Sequence, residues 1–125
     1  MKTIHIKRIY DDRAKADGYR VLVDRLWPRG ISKQSAALDE WAKEIAPSAQ
    51  LRKAYHDESI SWSQFRTRYR AELRECRSEL AALTQRAGAA RITLLTATRD
   101  PTLNHAIVLK EAIEALHRRS ANRAA

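Results

Sequence analysis

Residues 19–24 read YRVLVD, and residues 91–97 read RITLLTA. Each segment contains a short continuous run of apolar side chains, as is typical of a strand buried on both faces. The chain between the two segments is long, and its hydrophobic patterns are mainly helical. Because a long helical crossover connects parallel strands, these two segments predict parallel strands of a small α/β domain.

A further strand is predicted at the N-terminus, over Thr3–Ile9, where apolar and polar side chains alternate. The polar segment 11–18 that follows ends in Asp-Gly and predicts a loop. A connection this short suits a hairpin, whereas a parallel crossover usually needs about a dozen residues or more. The residues alone therefore leave the orientation of the first strand open.

Helices are predicted from apolar residues spaced three and four apart and from capping residues. The predicted helices are Leu38–Ile45, a short helix after the cap Ser48, a long helix from the Ser61–Gln64 capping box to Gly88, and a last helix with Asp100 as its cap and Pro101 as its first residue. The resulting fold is a small, three-stranded, mainly parallel sheet flanked by about four helices. It forms a single α/β domain over residues 1–120, followed by a frayed tail at 121–125.

The composition is that of a soluble globular protein, with 44% hydrophobic and 31% charged residues among 125. No apolar run reaches 18 residues and no signal peptide is recognisable, so a cytoplasmic protein without membrane contact is expected. The single cysteine, Cys76, excludes an internal disulfide, and the scattered histidines lack metal-ligand spacing. No metal and no cofactor are therefore expected. The oligomeric state is not indicated.

The formal net charge of +9 favours anionic partners, and the basic excess is larger in residues 61–125 than in residues 1–60. Two functions agree with this charge. The first is the binding of a small anionic ligand, a phosphate or a carboxylate. The alternative is a nucleic-acid-associated binding module that uses the basic surface of the C-terminal half.

A small-molecule site is expected at the carboxyl ends of the strands, where open parallel sheets bind their ligands. Two segments fall there, Asp24–Gly30 and Thr96–Pro101, and the second leads into Asn104 and His105. We interpret Asp24 and His105 as the catalytic, proton-handling residues. The predicted ligand-binding residues are Arg25, Trp27, Arg29, Gly30, Thr96, Thr98, Arg99 and Asn104. The sequence specifies no reaction and leaves open whether the site is catalytic.

Structural roles compete with these functional ones. Asp24 could pair with Arg25 or cap a turn, and Asp100 is favoured as a helix cap. Trp27 is favoured as a core residue over a platform for a ligand ring, because tryptophan is highly buried on average. His105 fits a half-buried helix histidine as well as it fits a general base.

Four segments together resemble the YeaO-like family of small bacterial proteins, a family of unknown function. They are RVLVDRLWPRGISK (20–33), LDEWAKEIAPSAQLRKAYH (38–56), the W-x-x-F-x-x-x-Y pattern from Trp62 to Tyr69, and ITLLTATRDPTLNHAIVLKEAI (92–113). The resemblance covers nearly the whole chain, and the DRLWPRG motif is quite specific. It implies a compact α/β domain and no established activity.

Longer, more distant relatives have a helix between the first two strands, and this analogy implies that these two strands are parallel here. Those relatives also carry Cys-x-Glu and Cys-His-Arg around the last strand and helix. The matching positions in this chain are Thr96, Thr98, Asn104, His105 and Ala106, so that only the histidine is retained.

Overall fold

The computed structural model describes residues 3–124, with side chains described through Arg118. The strands are β1 (Ile4–Arg8), β2 (Tyr19–Leu22), β3 (Glu40–Trp41) and β4 (Ile92–Thr96). The α-helices are α1 (Lys33–Ala36), α2 (Ala49–His56), α3 (Trp62–Glu75), α4 (Arg77–Ala87) and α5 (His105–Ala124). Short 3₁₀ turns form at Lys15–Asp17 and Lys43–Ile45. The predicted α/β class is confirmed, with one strand and one helix more than expected.

The four strands form one parallel sheet in the order β1-β4-β2-β3. The two segments that predicted parallel strands, now β2 and β4, are neighbours in this sheet. β1 is also parallel to β4 and lies on its other side, so the parallel orientation implied by the family resemblance is correct. Leu94 at the centre of β4 faces Ile6 of β1 and Val21 of β2. Every residue of β4 is buried, because the strand has neighbours on both sides and is covered on both faces.

Two hydrophobic cores lie against the sheet, one on each face. The larger core joins sheet residues such as Val21 and Leu94 to apolar residues of helices α2–α5. The smaller core contains Leu22 and Leu95, which face the other way and pack against Ile9 and Ala36. The alternation of side chains along each strand accounts for this division.

The helix predicted over Leu38–Ile45 does not form. This segment contains the two-residue edge strand β3 and a 3₁₀ turn. Its apolar residues are shared between the cores: Leu38 and Trp41 pack on the smaller one, whereas Ala42 and Ile45 belong to the larger one. Its backbone continues the ladder with β2, because the Ala42 N–H donates to the Leu22 carbonyl at 2.9 Å. Tertiary packing therefore overrides a spacing that reads as helical.

The long predicted helix is interrupted at Cys76, which adopts φ −108° and ψ 30° between α3 and α4. Its predicted ends are correct: Ser61 and Gln64 form a capping box, and Gly88 ends the helix with φ 61°. The break redirects the chain while Leu80 and Leu83 remain buried in the larger core.

The last helix begins later than predicted. Asp100 does not cap it but closes a turn by accepting the N–H groups of Thr102 and Leu103, both at 2.9 Å. Asn104 takes the capping role, because its Oδ1 accepts the Ile107 N–H at 3.2 Å. The backbone of α5 continues to Ala124, and Ala125 lies outside the described residues. Fraying of the segment 121–125 stays a prediction.

Candidate functional site

Asp24 lies two residues beyond the end of β2 and is anchored to the end of β4. Its Oδ1 accepts the Thr96 hydroxyl at 2.7 Å, and its Oδ2 accepts the Ala97 N–H at 2.8 Å. The Trp41 indole holds the backbone of Asp24 by donating to its carbonyl at 2.7 Å. Because β2 and β4 are parallel neighbours, their carboxyl ends bring these groups together.

His105, the first residue of α5, completes the cluster. Its Nε2 lies 3.0 Å from Asp24 Oδ1 and 3.0 Å from the Val23 carbonyl oxygen. Both partners are acceptors, so Nε2 carries a proton and donates. The ring edge meets Tyr69, with 6.3 Å between ring centroids. The Nδ1 atom makes no hydrogen bond with any residue that the structure describes and is therefore open to a ligand. Asp24 thus orients the imidazole, as carboxylates do in many catalytic pairs.

The pKa of Asp24 reflects opposing effects. Burial raises the pKa, but the hydrogen bond and charge of His105 lower it, as do the Ala97 N–H and the Thr96 hydroxyl. The favourable contacts outweigh burial, so the pKa of Asp24 lies below its ordinary value. The carboxylate is therefore ionised at neutral pH.

Asp24→Asn is expected to destabilise the fold at neutral pH by about 1–3 kcal/mol, because an amide cannot accept all of these hydrogen bonds. A carboxyl with a lowered pKa stabilises the fold above its ordinary pKa near 3.9, and this contribution is lost as the pH falls below that value. The difference from wild type should therefore shrink toward pH 3 when urea unfolding is followed by circular dichroism. Asp12→Asn, at an exposed position, is the control. A deficit of Asp24→Asn that does not change with pH would contradict this account.

The three arginines predicted to form a clamp do not converge. Arg25 is half-buried, and its guanidinium donates from Nε to the Pro47 carbonyl at 3.0 Å and from Nη2 to the Ala46 carbonyl at 3.4 Å. Arg29 is exposed and lines the same cleft as Arg25. Arg99 is exposed but is not among the residues that line this cleft.

Of the other predicted ligand-binding residues, some line the cleft and others do not. Thr98 and Trp27 line the cleft, and the Trp27 indole also donates to the Ile31 carbonyl at 2.7 Å and packs on the smaller core. Asn104 lines it as well, although its Oδ1 caps α5 and its Nδ2 donates to the Asp100 carbonyl at 2.7 Å. Thr96 is buried behind Asp24. Gly30 lies outside the lining and serves a turn with φ 75°.

The cleft has a volume of about 1260 Å³ and opens between the carboxyl ends of β2 and β4, helix α2 and the start of α3. Sequence reasoning missed the wall made by the latter two elements. The residues involved are Arg52, Lys53, Tyr55, His56 and Trp62. Arg52, Lys53 and His56 form the exposed polar side of the short amphipathic helix α2. The sequence pattern of this side is typical of an ordinary solvent-exposed face. Only the docking of α2 against α3 brings this side to the strand ends.

Residues 3–124 contain neither a candidate metal-binding cluster nor a candidate membrane-spanning helix. No group of three or more His, Cys, Asp or Glu side chains in this part of the chain is arranged to hold a metal ion. None of its helices combines the length and apolar character required to cross a bilayer.

Comparison with known proteins identifies the class. A family model described as DUF488-N3i, the inactive DUF488-N3 subclade, matches residues 3–125. The chain belongs to this family.

Individual relatives agree with the YeaO-like resemblance. Uncharacterized protein YeaO of Escherichia coli (strain K12) is 49% identical over 113 residues, which cover 90% of this chain and 98% of the relative. Uncharacterized protein Rv3073c of Mycobacterium tuberculosis (strain ATCC 25618 / H37Rv) and Mb3100c of Mycobacterium bovis (strain ATCC BAA-935 / AF2122/97) are each 39% identical over 110 residues, which cover 88% of this chain and 92% of each relative. No solved structure shows a significant match.

Proposed function

We propose that the domain binds a small anion, a phosphate or a carboxylate, in the cleft beside Asp24 and His105. The observation that carries this proposal is the position of Arg25. Two backbone carbonyls fix its guanidinium in the cleft wall, and its remaining N–H groups have no hydrogen-bond partner among the described residues. A fixed guanidinium with free donors is suited to bind a phosphate or a carboxylate.

The surrounding charges support the same ligand class. Arg29 and Arg52 line the cleft and form no ion pair within the described part of the chain. The carboxylates nearby are mostly engaged: Asp24 binds its three neighbours, and Asp57 pairs with Lys53 at 3.4 Å. Glu58 also lines the cleft. The unengaged charges are therefore predominantly positive.

His105 can contact the ligand through Nδ1. In the imidazolium form, whose charge lowers the pKa of Asp24, Nδ1 carries a proton and donates to the anion while Nε2 stays bound to Asp24. The family is described as an inactive subclade, which favours binding without turnover. A cytoplasmic location and action without a cofactor remain predictions.

Arg52→Ala is expected to weaken the binding of inorganic phosphate by about tenfold in isothermal titration calorimetry, because a charge-assisted hydrogen bond is lost. The melting temperature should hardly change, since Arg52 is exposed. Arg68→Ala, which removes the same charge from an exposed position outside the cleft, is the matched control. Arg99→Ala tests the role inferred for Arg99 from the sequence, and the geometry predicts no effect. Unchanged phosphate affinity in Arg52→Ala would count against the proposed cleft.

A second candidate function, nucleic-acid binding, is favoured by a separate groove between α3, α4 and α5. Arg70, Arg74, Arg77 and Arg118 line this groove of about 220 Å³, and all four are exposed without an ion pair to a described residue. The one carboxylate in the lining, Glu111, pairs with Arg66 at 3.0 Å. Unpaired arginines on adjacent helices can contact successive phosphates of a nucleic-acid backbone.

If this groove binds nucleic acid, a labelled DNA duplex should be retained in a gel-shift assay and released as salt increases, because bound phosphates release counterions. The variant Arg70→Gln, Arg74→Gln, Arg77→Gln should lower both the affinity and the slope of its salt dependence. Arg52→Gln is the control in the other site. Absence of any complex at about 150 mM salt would exclude this function, since even non-specific binders reach Kd values of about 10⁻⁴ to 10⁻⁶ M there.

A further inference from the structure

The exposed apolar side chains are gathered at one place. Among the described residues, three large hydrophobic side chains are exposed: Tyr10 by 43%, Leu26 by 59% and Leu103 by 43%. They come from three different loops, after β1, after β2 and after β4, yet all three line the proposed anion cleft. Single exposed apolar residues are ordinary on protein surfaces, but their convergence on one concave site is typical of ligand binding.

An aromatic wall faces the same space. Tyr55, Trp62 and Phe65 line the cleft, and the rings of Trp62 and Phe65 stack with centroids 5.4 Å apart and an angle of 21° between planes. Tyr55 packs on Phe65 with centroids 4.9 Å apart. The Tyr55 hydroxyl and the Trp62 indole N–H make no hydrogen bond with any described residue. This wall therefore offers flat apolar surface together with unused polar groups.

The cleft thus combines two features: an apolar rim, formed by Tyr10, Leu26 and Leu103, and guanidinium groups with free donors. An inorganic anion would use the donors of Arg25 and Arg52 and leave the apolar side chains in water. A neutral apolar molecule would leave the arginines without a partner. The occupant that satisfies both features has an anionic group attached to a flat apolar body.

We propose that the natural ligand of the cleft is an aromatic anion, an aryl phosphate or aryl carboxylate, whose ring lies against the rim formed by Tyr10, Leu26 and Leu103. This inference rests on the proposed anion-binding function and names the class of its ligand. The charged group is held by Arg25 and Arg52, and the ring covers apolar side chains that otherwise remain in contact with water.

Calorimetry with three probes tests this proposal on the whole chain. The probes are inorganic phosphate, phenyl phosphate and benzyl alcohol. Phenyl phosphate is expected to bind about tenfold or more tightly than inorganic phosphate, because burying a ring adds hydrophobic free energy to the same charged contact. Benzyl alcohol, which has the ring without the charge, should bind much more weakly than phenyl phosphate.

Variants in the rim provide the second measurement. Leu26→Ser and Leu103→Ser should each reduce the preference for phenyl phosphate over inorganic phosphate, and the affinity for inorganic phosphate is their internal control. Both side chains are exposed, so the fold should tolerate the changes, which circular dichroism verifies.

The outcomes separate the two proposals. Equal affinity for both phosphates, or an unchanged preference in the Leu26 and Leu103 variants, would overturn the aromatic ligand and leave the anion site in place. Benzyl alcohol binding as tightly as phenyl phosphate would show that the charge is not recognised. If none of the three probes binds, the anion-binding function itself fails.

Discussion

Asp17→Ala is expected to lower the free energy of unfolding by about 3 to 5 kcal/mol, because it leaves the buried Arg20 guanidinium without its carboxylate. Arg20 is only 2% exposed and Asp17 only 5%, and their side chains form a buried ion pair. Lys7 binds the same carboxylate at 3.0 Å. Two cations therefore lose their partner in this variant.

Backbone contacts keep Arg20 in place after the change. Its guanidinium donates to the Ala36 carbonyl at 2.9 Å and to the Ala37 carbonyl at 3.1 Å. The charge cannot easily move into solvent without giving up these bonds, so its uncompensated burial destabilises the fold.

Urea unfolding measures the loss. Asp57→Ala removes a carboxylate from the exposed pair with Lys53 and should cost less than about 1 kcal/mol. A loss of similar size in both variants would show that the buried pair contributes no more than a surface pair.

Gly18→Ala is the second substitution with a large expected effect, about 3 kcal/mol or more. Gly18 adopts φ 68° and ψ −126°, a conformation that residues with a side chain rarely adopt. A Cβ atom there would lie 2.4 Å from the Arg91 carbonyl oxygen. That oxygen accepts the Tyr19 N–H at 2.7 Å and so joins the start of β2 to the residue before β4. The methyl group would separate these strands.

Gly30→Ala is the matched control. Its φ of 75° is equally unfavourable for alanine, but a Cβ at Gly30 would meet nothing within 4 Å. Its cost is therefore conformational alone, about 1–2 kcal/mol. Comparison of the two melting curves separates backbone strain from the steric contact with Arg91. Equal losses would show that the strand junction accommodates the methyl group.

The parts of the fold that could be predicted depend on local chemistry. The continuous apolar runs of β2 and β4 identify strands because each residue there is buried regardless of the face it points to. The Ser61–Gln64 capping box succeeds for a similar reason, since its hydrogen bonds lie within four residues. The helix predicted at 38–45 fails because helical spacing in a short segment also fits residues that are divided between two cores.

The candidate site, like the fold, could be predicted only in part. Asp24 and His105 lie 81 positions apart, and the rule that ligands bind at the carboxyl ends of parallel strands was enough to predict that they meet. The same rule placed Arg99 in the cleft, which it does not line, because the loop 97–104 is longer and α5 begins later than its sequence pattern indicates. Arg52 was not predicted as a site residue, because the sequence of α2 does not indicate which part of the fold its polar side faces.

By itself, the sequence determined the α/β class, two neighbouring buried strands, the starts of α2 and α3, the end of α4, and the two segments that supply Asp24 and His105. These features follow from residue patterns and hydrogen bonds that act over a few positions. Only the tertiary structure decided that β4 lies between β1 and β2, that Arg20 and Asp17 are buried together, and that the polar side of α2 lines the cleft. Such arrangements depend on the free energy of packing distant segments against one another, and no single segment encodes that energy in its own pattern.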